Sequence, residues 1–293
     1  MEKGIKVSVC VVTYNQEEYI EQCIKSVLDQ ETQYSFEIII GDDASTDGTR
    51  DILKKLKSLY PSKIRLILHE NNVGPSDNVF STYRQAKGEY IAHLDGDDYF
   101  FPMKLEQQIS LMDKDVNCGI SFHSVMKLKS SGEFILDNIN CDNMPSSGWL
   151  RSDLIQLMAV GNNSSKVMRR ELFDDFRDPG FPLVDTVFNC LIIGNTTLKA
   201  IAGQPLGVYR EGVGISSSGD MTKKATIQGY EYLIEFLPRC ERKYICATSF
   251  LLMLLDIKNF RGTAVNYFKL WVKSFDLMFL LTFIKFQFHY KPR

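Results

Sequence analysis

The first 115 residues alternate short β-branched runs with amphipathic segments, and this alternation constrains the fold more than any other feature of the chain. Runs predicted to be buried strands begin at Val7, Phe36, Ile64 and Tyr90. Each is followed by a segment in which apolar residues recur every three or four positions, which predicts an amphipathic helix. Strands that alternate with helices form a mostly parallel sheet with helices on both faces. We therefore expect an α/β fold.

Adjacent carboxylates follow two of these predicted strands. Asp42 and Asp43 come after the second strand, and Asp95, Asp97 and Asp98 come after the fourth. In an open α/β sheet, ligands bind beyond the carboxyl ends of the strands. Crowded carboxylates repel one another unless a cation lies between them, and Mn²⁺ or Mg²⁺ shared with a phosphorylated ligand would meet that need. An ordinary Asp/Gly turn is the alternative interpretation.

The sequence lacks the common glycine-rich nucleotide-binding motifs. No G-x-G-x-x-G follows the first strand, which argues against a dinucleotide site, and no G-x-x-x-x-G-K-[ST] occurs, which excludes a P-loop. A calcium loop starting at Asp43 would need Glu at its twelfth position, where Lys54 stands. Asp43 and Asp47 are also suitable caps for the following helix, and Asp98 for the segment that follows it.

The regular alternation of strands and helices ends after residue 118. We predict strands over residues 119–126, 164–170 and 199–209, a turn at 129–133, a polar loop at 137–148 and a helix over 186–193. A domain boundary is placed near residue 220. The domain 1–220 would consist of a nucleotide-binding half, residues 1–115, and an acceptor half, residues 116–220.

Residues 221–293 form a separate helical tail in our interpretation. Residues 1–222 carry a net charge of −9, whereas residues 223–293 carry +7, from 12 Lys and Arg against 5 Asp and Glu. Apolar residues recur at helical spacing in the tail: Phe268, Trp271, Val272, Phe275, Phe279, Leu280, Phe283 and Phe286. This face either packs on the rest of the chain or attaches to an anionic membrane surface, and the sequence leaves both open.

Cysteine usage and hydropathy predict a cytoplasmic protein. The 7 cysteines are odd in number, widely spaced and without a C-x-x-C pair, which indicates reduced thiols. We find no signal-peptide pattern, and no apolar stretch reaches the ~20 residues of a spanning helix. We expect a cytoplasmic location, peripheral on the inner face of the plasma membrane if the tail binds lipid.

Four short motifs, in this order and spacing, resemble the family 2 glycosyltransferases, which have the GT-A fold. They are VCVVTYN at residues 9–15, IIIGDDASTDGT at 38–49, N-x-G at 72–74 and LDGDD at 94–98. The resemblance covers residues 5–115 and continues more loosely to about residue 218, through residues 167–170, Asp185 and Tyr209-Arg210. It does not extend to the tail.

The resemblance implies a nucleotide-diphosphate sugar donor, which we predict to be a UDP-sugar. Thr13, Tyr14 and Asn15 would line the nucleotide pocket. Asp43, together with Asp42, would contact the base and the ribose. Transfer of the sugar, of the hexosyl type, would invert the anomeric carbon.

The segment Asp95-Gly96-Asp97 resembles the D-x-D motif of this family. Asp97 would bind Mn²⁺ or Mg²⁺, which bridges the donor's phosphates, and Asp95 would lie near the ribose or the metal. The metal would stabilise the charge that develops on the leaving nucleoside diphosphate. Arg210 would steady the diphosphate, because Arg pairs well with phosphate.

Inversion in one displacement needs a base to take the proton of the acceptor hydroxyl. The family keeps an acid for this role, usually in a Glu-Asp pair before a helix. The matching place here is Val184-Asp185, so Val184 replaces the Glu and Asp185 remains. An N-cap for helix 186–193 is the alternative role of Asp185, and Asp153, Asp174 and Asp175 are lesser candidate bases.

These inferences predict a metal-dependent enzyme that moves one sugar to a hydroxyl of a glycan or a lipid-linked acceptor in the synthesis of a cell-surface polysaccharide. We expect no nucleic-acid partner. Two alternatives stay open. One is a sugar-phosphate nucleotidyltransferase, and the other is a non-catalytic scaffold that binds nucleotide sugars.

Overall fold

This computed structural model describes residues 4–137, 144–157, 160–213, 219–259 and 261–289, with the side chains of 219–222 and 285–289 left aside. The strands are β1 Val7–Thr13, β2 Phe36–Asp42, β3 Ile64–Leu68, β4 Tyr90–Asp95, β5 Tyr99–Phe100, β6 Cys118–His123, β7 Val125–Leu128, β8 Phe134–Asp137, β9 Val167–Arg169, β10 Thr197–Ile201 and β11 Gly207–Arg210. The helices are α1 Ile20–Leu28, α2 Thr49–Leu59, α3 Pro75–Tyr83, α4 Lys104–Lys114, α5 Arg151–Leu157, α6 Glu171–Asp174, α7 Asp185–Ile192, α8 Gly219–Phe236, α9 Arg242–Lys258, α10 Ala264–Lys273 and α11 Phe279–His289.

A seven-stranded sheet in the order β10-β6-β9-β4-β1-β2-β3 is the centre of the fold. Only β9 among the described strands of this sheet runs antiparallel to its neighbours, β4 and β6. The parallel register pairs Thr13 with Asp42 and Val12 with Asp95. The carboxyl ends of β2, β1 and β4 are therefore adjacent, as the sequence predicted for the two groups of acids.

The central strands are buried on both faces, which explains their continuous β-branched runs. Val9, Val11, Ile38 and Ile40 have no exposed surface and pack with the apolar faces of the flanking helices. Each such side chain contributes about 1.5–3 kcal/mol on burial. At Gly41, an added Cβ would lie 2.5 Å from the Asn78 amide oxygen, so the close approach of α3 requires glycine there.

A four-stranded sheet, β5-β11-β7-β8, corrects two of the predicted strands. Residues 119–126 form parts of two strands, β6 and β7, which belong to different sheets. Residues 199–209 likewise divide into β10 and β11, because the chain turns at Gly203, whose φ is 81°. The predicted turn at 129–133 is confirmed as the β7–β8 hairpin. Residues 138–143 of the predicted polar loop lie outside the described residues.

The chain divides into two compact units. The first consists of Met1–Asp142, Gly161–Pro179 and Thr196–Ser217, and the second of Asn143–Val160, Gly180–Asn195 and Ser218–Arg293. The second unit takes two segments from before residue 220. The predicted domain boundary near residue 220 stays a prediction.

The second unit is built from helices in its described parts. Tyr230 of α8 and Thr248 of α9 both donate hydrogen bonds to the carbonyl oxygen of Ile155 on α5, at 2.9 and 3.2 Å. Gly229 of α8 approaches Val187 of α7 so closely that a Cβ would lie 2.6 Å from its side chain. No described helix combines the length and the apolar character that crossing a bilayer requires.

Candidate functional site

Three carboxylates crowd together directly after β4, in the first unit. The side chain of Asp95 is 36% exposed, whereas Asp97 is 6% and Asp98 1% exposed. The turn that carries them begins with a hydrogen bond from the Gly96 amide to the carbonyl of Val12, at 2.9 Å. This bond anchors the turn to the end of β1, beside the predicted nucleotide pocket.

Ser164 holds two of these carboxylates together. Its hydroxyl lies 2.5 Å from Oδ2 of Asp98 and 3.2 Å from Oδ2 of Asp95. Oγ of Ser164 also accepts a hydrogen bond from the backbone amide of Asp95, at 3.1 Å. Asp98 also accepts a hydrogen bond from the backbone amide of Arg210, at 2.9 Å. Asp98 therefore ties β4, the 3-10 turn at Ser164 and β11 together, and the predicted role as a cap of the next segment is wrong.

His93 lies behind Asp95 in the buried part of β4. Its Nε2 is 3.1 Å from Oδ1 of Asp95, and its Nδ1 is 2.8 Å from the hydroxyl of Tyr83. A hydrogen-bonded chain thus runs from Tyr83 through His93, Asp95 and Ser164 to Asp98. These contacts fix the orientation of the Asp95 carboxylate.

The three carboxyl groups have different proton affinities. Burial by itself would raise the pKa of Asp95, but the charge and hydrogen bond of His93, with Ser164, outweigh it and lower the pKa. Burial and the nearby charge of Asp95 raise the pKa of Asp97 to about 7. Burial and the charges of Asp95 and Asp97 raise the pKa of Asp98 well above its usual range. The site therefore resists further negative charge and favours a cation.

Arg210 closes one side of this carboxylate group. Its guanidinium donates hydrogen bonds to the carbonyl oxygen of Asp97 and to Oε1 of Gln22. The same group lies over the rings of Tyr19 and Tyr99, at 4.9 and 5.1 Å from the centroids. The structure thus brings Arg210 to the D-x-D turn.

Asn15 connects the ends of β1 and β2. It has a φ of 51°, in the left-handed region that Asn tolerates better than most residues. Its backbone amide donates a hydrogen bond to Oγ of Ser45 at 2.9 Å, and its side-chain Oδ1 accepts one from the backbone amide of Thr46 at 2.8 Å. Thr13 is buried, whereas Tyr14 is exposed. Asn15 therefore links the end of β1 to the loop between β2 and α2.

Asp42 and Asp43 both have partners within the protein. Oδ2 of the fully buried Asp42 accepts from Nε of Arg50 at 2.5 Å, while its Oδ1 receives no hydrogen bond from the described residues. Asp43 accepts from the backbone amides of Val73 and Gly74, at 2.7 and 3.0 Å. Neither caps α2. The helix begins after Gly48, so that alternative role is wrong for Asp43.

The donor set of the D-x-D turn fits a divalent cation that shares its ligands with a phosphorylated molecule. Among the described residues, no three His, Cys, Asp or Glu side chains could hold a metal ion by themselves. Mg²⁺-type sites often use one or two carboxylates and take their remaining ligands from phosphates and water. Asp97, with a pKa raised by its neighbours, and the partly exposed Asp95 meet that description.

Asp185 belongs to the second unit and is the first residue of α7, after Val184 at the N-cap position. Asp185 is therefore not itself the N-cap, which is the preceding residue, Val184. An acidic residue in the first turn still interacts favourably with the helix dipole. The catalytic role of Asp185 stays a prediction.

Replacing Ser164 with Ala should lower the free energy of unfolding by about 1–3 kcal/mol, because the buried Asp95 amide and the Asp98 carboxyl each lose a partner. Denaturant unfolding measures this change. Ser58→Ala is the matched control, since the Ser58 hydroxyl bonds to the exposed carbonyl of Lys55. Equal effects of the two substitutions would contradict the structural role of Ser164.

Comparison with known proteins decides the family. The sequence profile described as Glycosyl transferase family 2 matches residues 8–174, more than half of the chain. The chain belongs to glycosyl transferase family 2. The matched stretch contains both groups of strand-end acids, so the predicted family resemblance is confirmed.

Solved structures share the fold of this family 2 chain. A crystal structure of TarS residues 1–349 from S. aureus, in complex with UDP-GlcNAc, has a TM-score of 0.65 and 21% identity, over 83% of this chain and 71% of that one. A mannosyltransferase from Pyrobaculum calidifontis, in complex with GDP-Man and Mn²⁺, has a TM-score of 0.57 and 19% identity, over 99% and 82% of the two chains. The predicted GT-A fold is confirmed.

Curated relatives of the family 2 chain match it only in part. TuaG of Bacillus subtilis, a proposed teichuronic acid biosynthesis glycosyltransferase, is 38% identical over 126 residues, which are 43% of this chain and 49% of TuaG. The chain spans about half the length of the curated relatives it matches.

Proposed function

We propose that this protein is a metal-dependent, inverting glycosyltransferase that moves one sugar, of the hexosyl type, from a nucleotide-diphosphate sugar to an acceptor hydroxyl. The observation that carries the proposal is the group of Asp95, Asp97 and Asp98 beside Arg210, at the carboxyl ends of the central strands. A site that raises the pKa of Asp97 to about 7 is suited to a cation. Arg210 adds a second positive charge for the diphosphate.

The nucleotide would bind beside the ends of β1 and β2. Thr13, Tyr14 and Asn15 form the wall of this region, and Oδ1 of Asp42 offers a buried acceptor to a base N–H or a ribose hydroxyl. Asp43 supports the pocket by holding the amides of residues 73 and 74. We propose UDP as the nucleotide, as in the TarS complex, although the fold also accommodates GDP-Man in the mannosyltransferase.

Asp97 would hold Mn²⁺ or Mg²⁺, with Asp95 beside it. When bound, the metal supplies Lewis-acid stabilisation of the negative charge on the departing nucleoside diphosphate. His93 and Ser164 keep the Asp95 carboxylate oriented, and Arg210 holds the backbone of the turn. Asp185 would take the proton from the acceptor hydroxyl.

The acceptor would be a glycan or a lipid-linked glycan precursor of a cell-surface polysaccharide. The name of TuaG, which refers to teichuronic acid biosynthesis, supports this class of acceptor. An enzyme acting on such an acceptor would work in the cytoplasm, at the inner face of the membrane, and the basic tail suits an anionic membrane surface.

A donor screen tests the proposal. UDP-, GDP- and dTDP-sugars are added to the full chain with Mn²⁺ or with EDTA, and thermal stability and nucleotide release are measured. We expect a UDP-sugar to raise the melting temperature through mass action, and to be hydrolysed slowly only with Mn²⁺. Release of pyrophosphate from UTP and a sugar phosphate would favour a nucleotidyltransferase instead. Binding without metal-dependent turnover of any donor would favour a scaffold.

Metal loading should depend on pH with a defined sign. Because a proton and the metal compete for the Asp97 carboxylate, whose pKa is about 7, the half-saturating Mn²⁺ concentration should rise roughly tenfold for each pH unit below that value. Above it, the concentration should be constant. Titration of Mn²⁺ in the hydrolysis assay between pH 5.5 and 8.5 measures this, and a flat profile would contradict Asp97 as the ligand.

A further inference from the structure

The helix α10 exposes an apolar stripe on the side opposite its packed face. Val265, Phe268 and Val272 are 60, 48 and 53% exposed. Their spacing of three and four residues places them on one side of the helix. Tyr267 and Leu270, on the other side, are 4 and 1% exposed and anchor α10 to its own unit. The sequence left open whether this face packs or binds lipid, and in the structure one side of the helix is packed while the other is exposed.

Further exposed apolar residues follow α10 in sequence, up to Ile284 in α11. The exposed large apolar residues that follow are Phe275, Leu277, Met278, Leu280, Leu281 and Ile284. Together with the α10 stripe they form one run of exposed apolar positions, which we call the tail surface. The rings of Phe268, Trp271 and Phe275 are in contact, and a connected apolar patch of this kind marks an interaction site, whereas apolar residues scattered singly do not.

Aromatic packing holds part of the tail surface in place. The Trp271 ring lies 5.8 Å from Phe268 and 5.6 Å from Phe275, measured between centroids. Trp271 also contacts the buried Phe279, at 5.9 Å. The exposed rings of Phe268 and Phe275 are therefore supported from beneath, so little side-chain entropy is lost when a partner covers them.

The charged residues on α10 itself are basic, whereas Asp276 lies between Phe275 and Leu277 of the tail surface. At 100° per residue, Lys269 and Lys273 lie along one border of the α10 stripe. Lys273 pairs with Glu235 at 3.0 Å, while no acidic residue occurs within Ala264–Lys273. Asp256, which is 4% exposed, is occupied by Thr263 and Arg261. The surface thus combines exposed aromatic and aliphatic groups with a positive border.

We propose that the tail surface docks on an anionic lipid bilayer, with the apolar stripe in the headgroup region and the lysines at the phosphates. Interfacial helices combine these features, and each basic residue near an anionic surface adds to binding. A second copy of the chain docked antiparallel on α10 fits less well, because that two-fold arrangement would bring one lysine border close to the other. The proposal concerns this surface alone and does not depend on the transferase activity.

Vesicle co-sedimentation of the full chain tests the proposal. We expect binding to vesicles of phosphatidylcholine with about 30% phosphatidylglycerol, which gives a strongly anionic surface. Binding to vesicles of phosphatidylcholine alone should be weak. Lys269→Gln and Lys273→Gln should each weaken binding about fivefold at low salt. Phe268→Ser should weaken vesicle binding more than tenfold at low and at high salt alike, because it removes an apolar contact and not a charge.

The controls use exposed apolar residues far from the tail in sequence. Val116→Ser and Leu59→Ser replace side chains that are 75 and 61% exposed in the first unit, and they should leave vesicle binding unchanged. Equal binding to neutral vesicles, no binding to either kind, or binding that Phe268→Ser leaves unchanged would overturn the proposal. So would a dimer, seen by light scattering, that Phe268→Ser dissociates, since the surface would then face a second copy.

Discussion

Asp97→Asn is expected to lower metal-dependent turnover of the nucleotide sugar by about a thousandfold, because a group that stabilises developing charge in a transition state is worth roughly 10²–10³ or more in rate. Asn keeps the size and one oxygen of Asp97 but removes the negative charge that holds a divalent cation. Initial rates at saturating Mn²⁺ measure the loss. Retained turnover would show that the metal is held elsewhere.

The same substitution should stabilise the metal-free protein at alkaline pH. Burial and the charge of Asp95 raise the folded-state pKa of Asp97 from 3.8 to about 7, so ionisation is costlier in the folded state than in the unfolded one. The folded state binds the proton more tightly, and stability is therefore lost as pH rises between these two values. Melting temperatures in EDTA should show this loss in the wild type. In Asp97→Asn the loss from this group should be absent.

A matched control separates this effect from a general change of charge. Asp51, on α2 in the same unit, has a side chain that is 89% exposed and lies near Lys54. Asp51→Asn should alter neither turnover nor the pH dependence of melting by a measurable amount. If Asp51→Asn and Asp97→Asn behave alike, the crowding of carboxylates after β4 has no functional consequence.

The sequence predicted the centre of the fold well because several signals agreed there. β1 and β2 are rich in β-branched residues, and these two strands and β4 are largely buried and followed by amphipathic helices, so local preference and burial both favour strands. The strand predicted at 199–209 failed because its apolar content is shared by two strands of different sheets. A single turn at Gly203 separates them, and composition alone does not show whether such a turn is made.

The candidate site was only partly accessible from the sequence. The adjacency of Asp42 and Asp95 followed from parallel topology, since both end strands that pair with β1. Ser164 was missed because it lies 66 residues from Asp98 and carries no motif. His93 carries no motif either, but its position two residues before Asp95 in a strand places both side chains on one face. That spacing was the available signal.

Arg210 illustrates how the two kinds of information combine. Its place after a strand and its resemblance to a family pair suggested a phosphate role. The structure adds that its guanidinium already holds the carbonyl of Asp97 and that its backbone amide holds Asp98. Because both the side chain and the backbone of Arg210 are hydrogen-bonded to the turn, a displacement of the turn can be transmitted to β11. Its action on the diphosphate stays a prediction.

Asp185→Asn is expected to lower sugar transfer by about 10²–10⁴-fold, the usual contribution of a general base. Donor affinity should be nearly unchanged, because Asp185 is proposed to act only on the proton of the acceptor hydroxyl. The substitution also removes a charge from the first turn of α7, at a cost of about 0.3–1 kcal/mol in stability. That cost is too small to explain a loss of this size through unfolding.

Two measurements and one comparison variant make this assignment decisive. Transfer to an acceptor is measured beside donor binding, the latter as the thermal shift with UDP-sugar and Mn²⁺. Asp153→Asn changes another acid in the first turn of a helix of the same unit, where the carboxylate accepts from the Leu150 amide at 2.8 Å. We expect it to retain transfer. If Asp153→Asn loses transfer and Asp185→Asn keeps it, the base is Asp153. If Asp185→Asn loses donor binding as well, its role is in positioning the donor, because a residue that acts only on the acceptor proton contributes nothing before the acceptor is bound.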